Sequence, residues 1–192
     1  MKIISSILAS IVLLAVSANS QAVVIAFDSL ETPGLQSMVS YSEAGYTFTG
    51  STNNFATWGT DSTNYAGSAG LFNNTGDGIT TLAADDGSLF SLNSMDLSEV
   101  YNQSSYTSTD VIFTALFSDG TTAIYTATLD LAFGYETFDF GGLFTNIKSV
   151  SWTQTYNYHQ FDNLVINSAV PEPASILLML IGLAGFRFMR TK

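Results

Sequence analysis

Residues 109–129 read TDVIFTALFSDGTTAIYTATL, and they decide the fold. Val111, Phe113, Ala115 and Phe117 fall on one side of an alternating pattern, while Ile112, Thr114 and Leu116 fall on the other. Alternation with period two among β-branched and aromatic residues marks a strand with one buried face. Ser118-Asp119-Gly120-Thr121 reads as a tight turn, because Asp-Gly tolerates the positive φ that two-residue hairpins need. The run Thr122–Leu129 follows at once, so the stretch predicts an antiparallel hairpin.

The same vocabulary extends in both directions. Short apolar and β-branched runs separated by turn residues predict strands at 23–28, 37–41, 45–50, 54–58, 79–83, 89–99, 109–118, 121–129, 136–141, 146–156 and 160–167. No helical periodicity interrupts them between Val23 and Asn167, and no repeat of useful length suggests a propeller or solenoid. The expectation is an all-β chain, an antiparallel β-sandwich of jelly-roll type. Residues 59–78, GTDSTNYAGSAGLFNNTGDG, are the longest weakly patterned stretch and read as a loop.

Composition narrows the class. The chain has 192 residues, of which 11% are charged and 13% aromatic, so disorder, coiled coil and collagen-like repeats are excluded. Its net charge of −11 understates the asymmetry of the middle region. Lys148 is the one basic residue between Val23 and Val170, against fifteen acids. Such a surface cannot neutralise a phosphate backbone, which excludes nucleic acid and adhesion to anionic lipid. Divalent cations and neutral sugars remain compatible. With no cysteine, the chain forms neither disulfides nor thiolate sites.

The two ends carry addressing signals, giving expected segments at 1–22, 23–169 and 170–192. Lys2, an apolar run from Ile3 to Val16 and the small residues Ser20 and Ala22 read as a signal helix cleaved after Ala22, with Ala18 as the alternative. At the other end, Pro171-Glu172-Pro173 precedes an apolar stretch that finishes in Arg187, Arg190 and Lys192. Ala174–Met189 as a helix would be roughly 24 Å long, short of the ~30 Å bilayer core unless Arg187 reaches toward the headgroups. The basic residues hold that end in the cytoplasm, which places the preceding domain outside.

This tail resembles the PEP-CTERM sorting signal, from its Pro-Glu-Pro triplet through its glycine-containing apolar run to its basic end. The resemblance implies cutting by exosortase, a membrane-embedded cysteine transpeptidase. The protein would then be exported, held transiently in the inner membrane, and carried to the cell surface or secreted. The phrases at Ile25–Leu30, Gly45–Phe48, Phe90–Leu92 and Phe161–Ile166 resemble β-sandwich ectodomains that often carry this tail and look like carbohydrate-binding modules. The function so implied is a non-catalytic surface or matrix protein associated with extracellular polysaccharide. A lectin-like module with a defined sugar site is the alternative, and more remotely a polysaccharide-active enzyme.

Two groups of residues are candidates for a site. Sugar recognition needs flat aromatic faces beside amides, and Trp58, Tyr65, Tyr156, Tyr158 and His159 lie in such phrases. Trp152 alternates with Val150 and reads as core. Asp28 ends the first strand and Asp162 begins the last, where alternation puts it on one face with Leu164 and Ile166. If those strands pair antiparallel, the two carboxylates converge, either as a structural calcium site or as turn caps. Catalysis finds no pattern: no GxSxG accompanies His159, and no spacing selects a carboxylate pair among the glutamates.

Overall fold

The computed structural model describes residues 22–103 and 109–167. Thirteen strands and one 3-10 turn, Asp28–Leu30, make up this region. In chain order the strands are β1 (Val23–Ile25), β2 (Gln36–Met38), β3 (Ser40–Glu43), β4 (Tyr46–Gly50), β5 (Phe55–Thr57), β6 (Leu71–Asn73) and β7 (Ile79–Ala84). They continue as β8 (Leu92–Glu99), β9 (Thr109–Phe117), β10 (Thr122–Leu129), β11 (Glu136–Asp139), β12 (Ile147–Thr153) and β13 (His159–Ile166).

They form two antiparallel sheets. One runs β11-β8-β13-β6-β5-β2 with β1 added on β13, and the other runs β10-β9-β12-β7-β4-β3. The fold is therefore an all-β two-sheet sandwich. Its core is aromatic where the sheets face each other: Phe161 meets Trp152 edge-on at 4.9 Å, and Phe27 packs on Phe48 at 5.4 Å. Aromatic pairs of this kind add about 0.5–1.5 kcal/mol each beyond the area they bury. Residues 22–168 enclose this core as one compact unit.

The deciding hairpin forms at β9–β10, with Thr122 opposite Leu116 and Leu129 opposite Thr109. Its turn is one residue longer than a two-residue hairpin. Phe117 N–H donates to the Thr121 carbonyl and Gly120 N–H to the Phe117 carbonyl. Gly120 alone takes positive φ, at 85°, while the Asp119 carboxylate accepts from Thr121 N at 2.9 Å. This is a type I turn closed by a glycine bulge, the next solution in the hairpin repertoire.

Two expectations from sequence differ from the structure. The run at 37–41 is broken, since β2 belongs to one sheet and β3 to the other, and the chain crosses between them at the exposed Val39. The stretch at 59–78 contains β6, whose three residues are all buried. Leu71 faces the sandwich core and Phe72 a smaller cluster on the opposite face, so no alternation betrays the strand. The expected helices at 1–22 and 170–192 lie outside the described residues, and no described helix is long and apolar enough to cross a membrane.

Candidate functional site

The outer face of the seven-stranded sheet carries an aromatic row. Phe55 points inward on β5, so Ala56 points outward, and its small side chain lies beneath the neighbouring Trp58 in an outer cluster. Trp58 stacks on Phe72 of β6 with ring centroids 5.7 Å apart and planes at 28°. Tyr101, just past β8, meets Trp58 edge-on at 5.9 Å, and Tyr158, just before β13, meets Tyr101 at 6.3 Å. Phe72 and Val100 are buried beneath, while Trp58, Tyr101 and Tyr158 are half-buried. Tyr156 stands beyond them, 83% exposed. The Asn64 side-chain oxygen accepts from Asn102 N at 2.9 Å and ties the loop before β6 to the same end.

Of the five residues that sequence singles out for a ligand, the structure joins Trp58 to Tyr158, with Tyr156 two residues away. Tyr65 has another task. Its hydroxyl donates to Glu31 at 3.0 Å, and Ala69 N reaches the same carboxylate oxygen, so Tyr65 pins a loop. Burial and then Glu31 raise its phenol pKa. His159 is fully buried, and neither ring nitrogen meets a hydrogen-bond partner among the described residues. Burial depresses its pKa to about 3. It is a neutral residue away from the surface, not a member of the exposed row. Tyr101, the link in the row, was legible as an aromatic followed by two amides, Asn102 and Gln103.

The terminal strands do pair antiparallel, Ile25 of β1 opposite Leu164 of β13, but Asp28 does not end β1: the strand stops at Ile25, and Asp28 lies beyond it in the 3-10 turn Asp28–Leu30. Asp162 does not share a face with Leu164 and Ile166. Asn163 adopts positive φ at 48° and the register shifts after Asp162, so one extra residue reverses the alternation. Phe161, Leu164 and Ile166 therefore all reach the core, and Asp162 turns to the other face. There it is fully buried, accepting from the Ser68 hydroxyl and from Asn163 N at 2.7 Å. Burial first, then the Asp96 and Asp28 charges, raise its pKa to about 7. Asp28 itself is exposed.

Gly70 explains how that carboxylate is covered. A Cβ at this position would lie 2.1 Å from the Tyr135 hydroxyl, so only glycine lets the Tyr135 ring close over the strand. Burial raises the Tyr135 pKa above the usual phenol range, with Asp162 adding to it. No three His, Cys, Asp or Glu side chains among the described residues come together in a way that could hold a metal ion. An ion beside Asp28 and Asp162 would need hydroxyl or backbone oxygens to complete its shell, as calcium accepts.

The other sheet also bears a depression, about 400 Å³ in volume, lined by Ile79, Asp110, Ile112, Thr114, Ser151 and Thr153. The Asp110 carboxylate there accepts from the Thr128 hydroxyl at 2.7 Å.

The architecture defines a β-sandwich domain with solvent-facing aromatic residues on one sheet. At its C-terminal side, residues 169–190 match the family model described as the PEP-CTERM protein-sorting motif. The chain carries that sorting signal, with Pro171, Glu172, Pro173, Arg187 and Arg190 inside the match and Lys192 just beyond it. Such a signal implies exosortase processing, export through the membrane, and a surface or secreted fate. No curated protein sequence matches the chain.

Among solved structures, a family 29 carbohydrate-binding module is similar at 15% identity and TM-score 0.38, covering 76% of this chain and 86% of that one. The CBM22-1 xylan-binding domain from Paenibacillus barcinonensis Xyn10C is similar at 13% identity and TM-score 0.40, covering 76% and 92%. A family 11 module from Clostridium thermocellum is similar at 15% identity and TM-score 0.32, covering 77% and 96%. At these scores the likeness extends to neither a shared site nor a shared ligand.

Proposed function

We propose that this chain is a non-catalytic, exosortase-sorted protein of the cell surface or extracellular matrix that associates with exopolysaccharide. The observation that supports contact with glycan is the row Trp58–Tyr101–Tyr158, half-exposed on one sheet, with Tyr156 projecting beside it. Aromatic faces gain by covering the C–H faces of sugar rings, and nearby Asn102 and Gln103 offer amides to hydroxyls. A domain with fifteen acids and one lysine favours a neutral polymer over an acidic one. Before processing, the apolar C-terminal segment would hold the chain in the inner membrane. Calcium between Asp28 and Asp162 belongs to the same proposal, supported by the Asp28 charge that helps raise the Asp162 carboxyl.

The second reading, a lectin-like module with a defined sugar site, draws on the polar-and-apolar depression over the six-stranded sheet. Affinity electrophoresis of residues 22–168 through the cell's own exopolysaccharide tests the first reading. Retardation that weakens severalfold in Tyr156→Ala and Trp58→Ala supports it, and unretarded migration overturns it. A glycan array with and without EDTA separates the two readings: selective, saturable binding to one oligosaccharide favours the lectin. Product release from that exopolysaccharide would overturn the non-catalytic assignment.

A further inference from the structure

Five strands leave a free edge among the described residues, and four of them are blunted. β1 and β2 have three residues each, β3 carries Glu43, and β11 carries Glu136 and Asp139. Short or charged edges are how natural sheets avoid pairing with other chains. β10 is different. It runs for eight residues, TAIYTATL, with no Asp, Glu, Lys, Arg or Pro, and its register with β9 is unbroken from Thr122 to Leu129.

The geometry also fixes which groups it offers. Phe117 N–H donates to the Thr121 carbonyl, so residues 121, 123, 125, 127 and 129 exchange bonds with β9. Thr122, Ile124, Thr126 and Thr128 therefore turn their N–H and C=O groups away from the sheet. Among the described residues no backbone hydrogen bond beyond the β9 ladder reaches them. Their side chains share the outer face, where Ile124 is 63% exposed and Ile112 beside it 53%.

We propose that β10 pairs antiparallel with β10 of a second copy, joining the two six-stranded sheets across a two-fold axis at Tyr125. The strand is self-complementary in one register. With Thr122 opposite Thr128 of the second copy and Ile124 opposite Thr126, all four outward residues find partners at once. Tyr125 then faces Tyr125 of the second copy in a non-hydrogen-bonded pair, the closer of the two spacings and one that favours aromatic pairs. On the outer face, Ile124 of each copy lies diagonal to the other, which covers the most exposed isoleucine of the hairpin. No like charges meet, because Asp119 falls opposite Leu131 and Asp130 opposite Gly120.

Such an isologous contact satisfies two-fold symmetry with a single patch. The two copies repel at long range, since each carries an excess of acids. Added salt should therefore tighten the pair rather than loosen it.

The test is sedimentation of residues 22–168, a unit with its own core, over a concentration series. Thr126→Pro removes one outward N–H and no bond to β9, so the monomer keeps its fold. The variant should weaken dimerisation by about tenfold or more while melting as the wild type does. Ile124→Lys, at an exposed position, brings two ammonium groups together across the axis and should weaken it likewise. In a chain without cysteine, Tyr125→Cys should cross-link to itself on oxidation, whereas Ala123→Cys should not, because it faces Ala127. A wild type that stays monomeric throughout, or dimers untouched by both Thr126→Pro and Ile124→Lys, would overturn the proposal.

Discussion

Asp162 on β13 lies directly opposite Asp96 on β8. Like charges in that relation repel, and the fold treats the two differently. Asp96 is half-buried and accepts from the Thr137 hydroxyl at 2.6 Å and the Asn163 side chain at 2.9 Å. Asp162 is fully buried, with the Ser68 hydroxyl and one backbone N–H. Its carboxyl accordingly holds a proton well above the ordinary carboxylate range.

The consequence is a contribution to stability that falls as pH rises. Between the ordinary value of 3.8 and about 7, the folded chain binds the Asp162 proton and the unfolded chain does not. Each pH unit in that window removes up to roughly 1.4 kcal/mol. In metal-free buffer, Asp162→Asn should lose most of this contribution and leave that of His159 unopposed, so its denaturant midpoints should rise with pH between about 4 and 6.5 relative to those of the wild type. Glu99 and Glu136, both raised by burial, keep a remainder. A slope unchanged in the variant would place the titration elsewhere.

His159 works in the opposite sense. Its folded pKa is about 3 against 6.5 unfolded, so the unfolded chain takes up the proton first as pH falls. Stability present above pH 6.5 is lost on descending toward pH 3, opposing the Asp162 effect across the shared window. His159→Phe keeps an aromatic ring in the core and removes two buried nitrogens without partners. Leaving such groups unsatisfied costs about 1–3 kcal/mol each. Urea titration of His159→Phe should show equal or higher stability at neutral pH and a steeper gain on acidification. A strongly destabilised variant would mean that the nitrogens do have partners.

These two residues also show where sequence reading succeeds and stops. The hairpin at 109–129 was legible because β9 keeps its pattern for nine residues, and its pairing with β10 is unbroken up to the bulge at the turn. Asp162 was misplaced because a single αL residue, Asn163, inverts the pattern, and an asparagine in a strand announces no bulge by itself. His159 sat in an aromatic and amide-rich phrase, yet it follows the inward parity of Phe161 and is buried with it. The Trp58 row spans four separate segments of chain, so its parts were visible but their meeting, through Tyr101, was not.

The sorting signal predicts a location. Replacing Pro171, Glu172 and Pro173 together by alanine should leave the full-length chain in the inner membrane, read by fractionation and by unchanged mass. Normal processing of that variant would make the segment a plain anchor.

Calcium supplies the last prediction. After burial, the Asp96 and Asp28 charges help raise the Asp162 carboxyl, and the only lysine of this region, Lys148, lies on β12 in the other sheet. A divalent cation would offset that unpaired charge, using carboxylates together with hydroxyl or backbone oxygens. It would clip the 3-10 turn that follows β1 to β13, near the two ends of the domain, in a chain that has no disulfide to do so. An ion bound only by the folded state adds about 2.7 kcal/mol at a hundredfold excess over Kd. Binding must also displace the Asp162 proton, so it should strengthen as pH rises past 7. Melting of residues 22–168 at pH 8 should drop by several degrees on adding EDTA and recover with calcium, while Asp162→Asn melts identically in both. Melting that ignores EDTA at pH 8 leaves Asp28 and Asp162 as hydrogen-bonded carboxylates and removes the ion from this place.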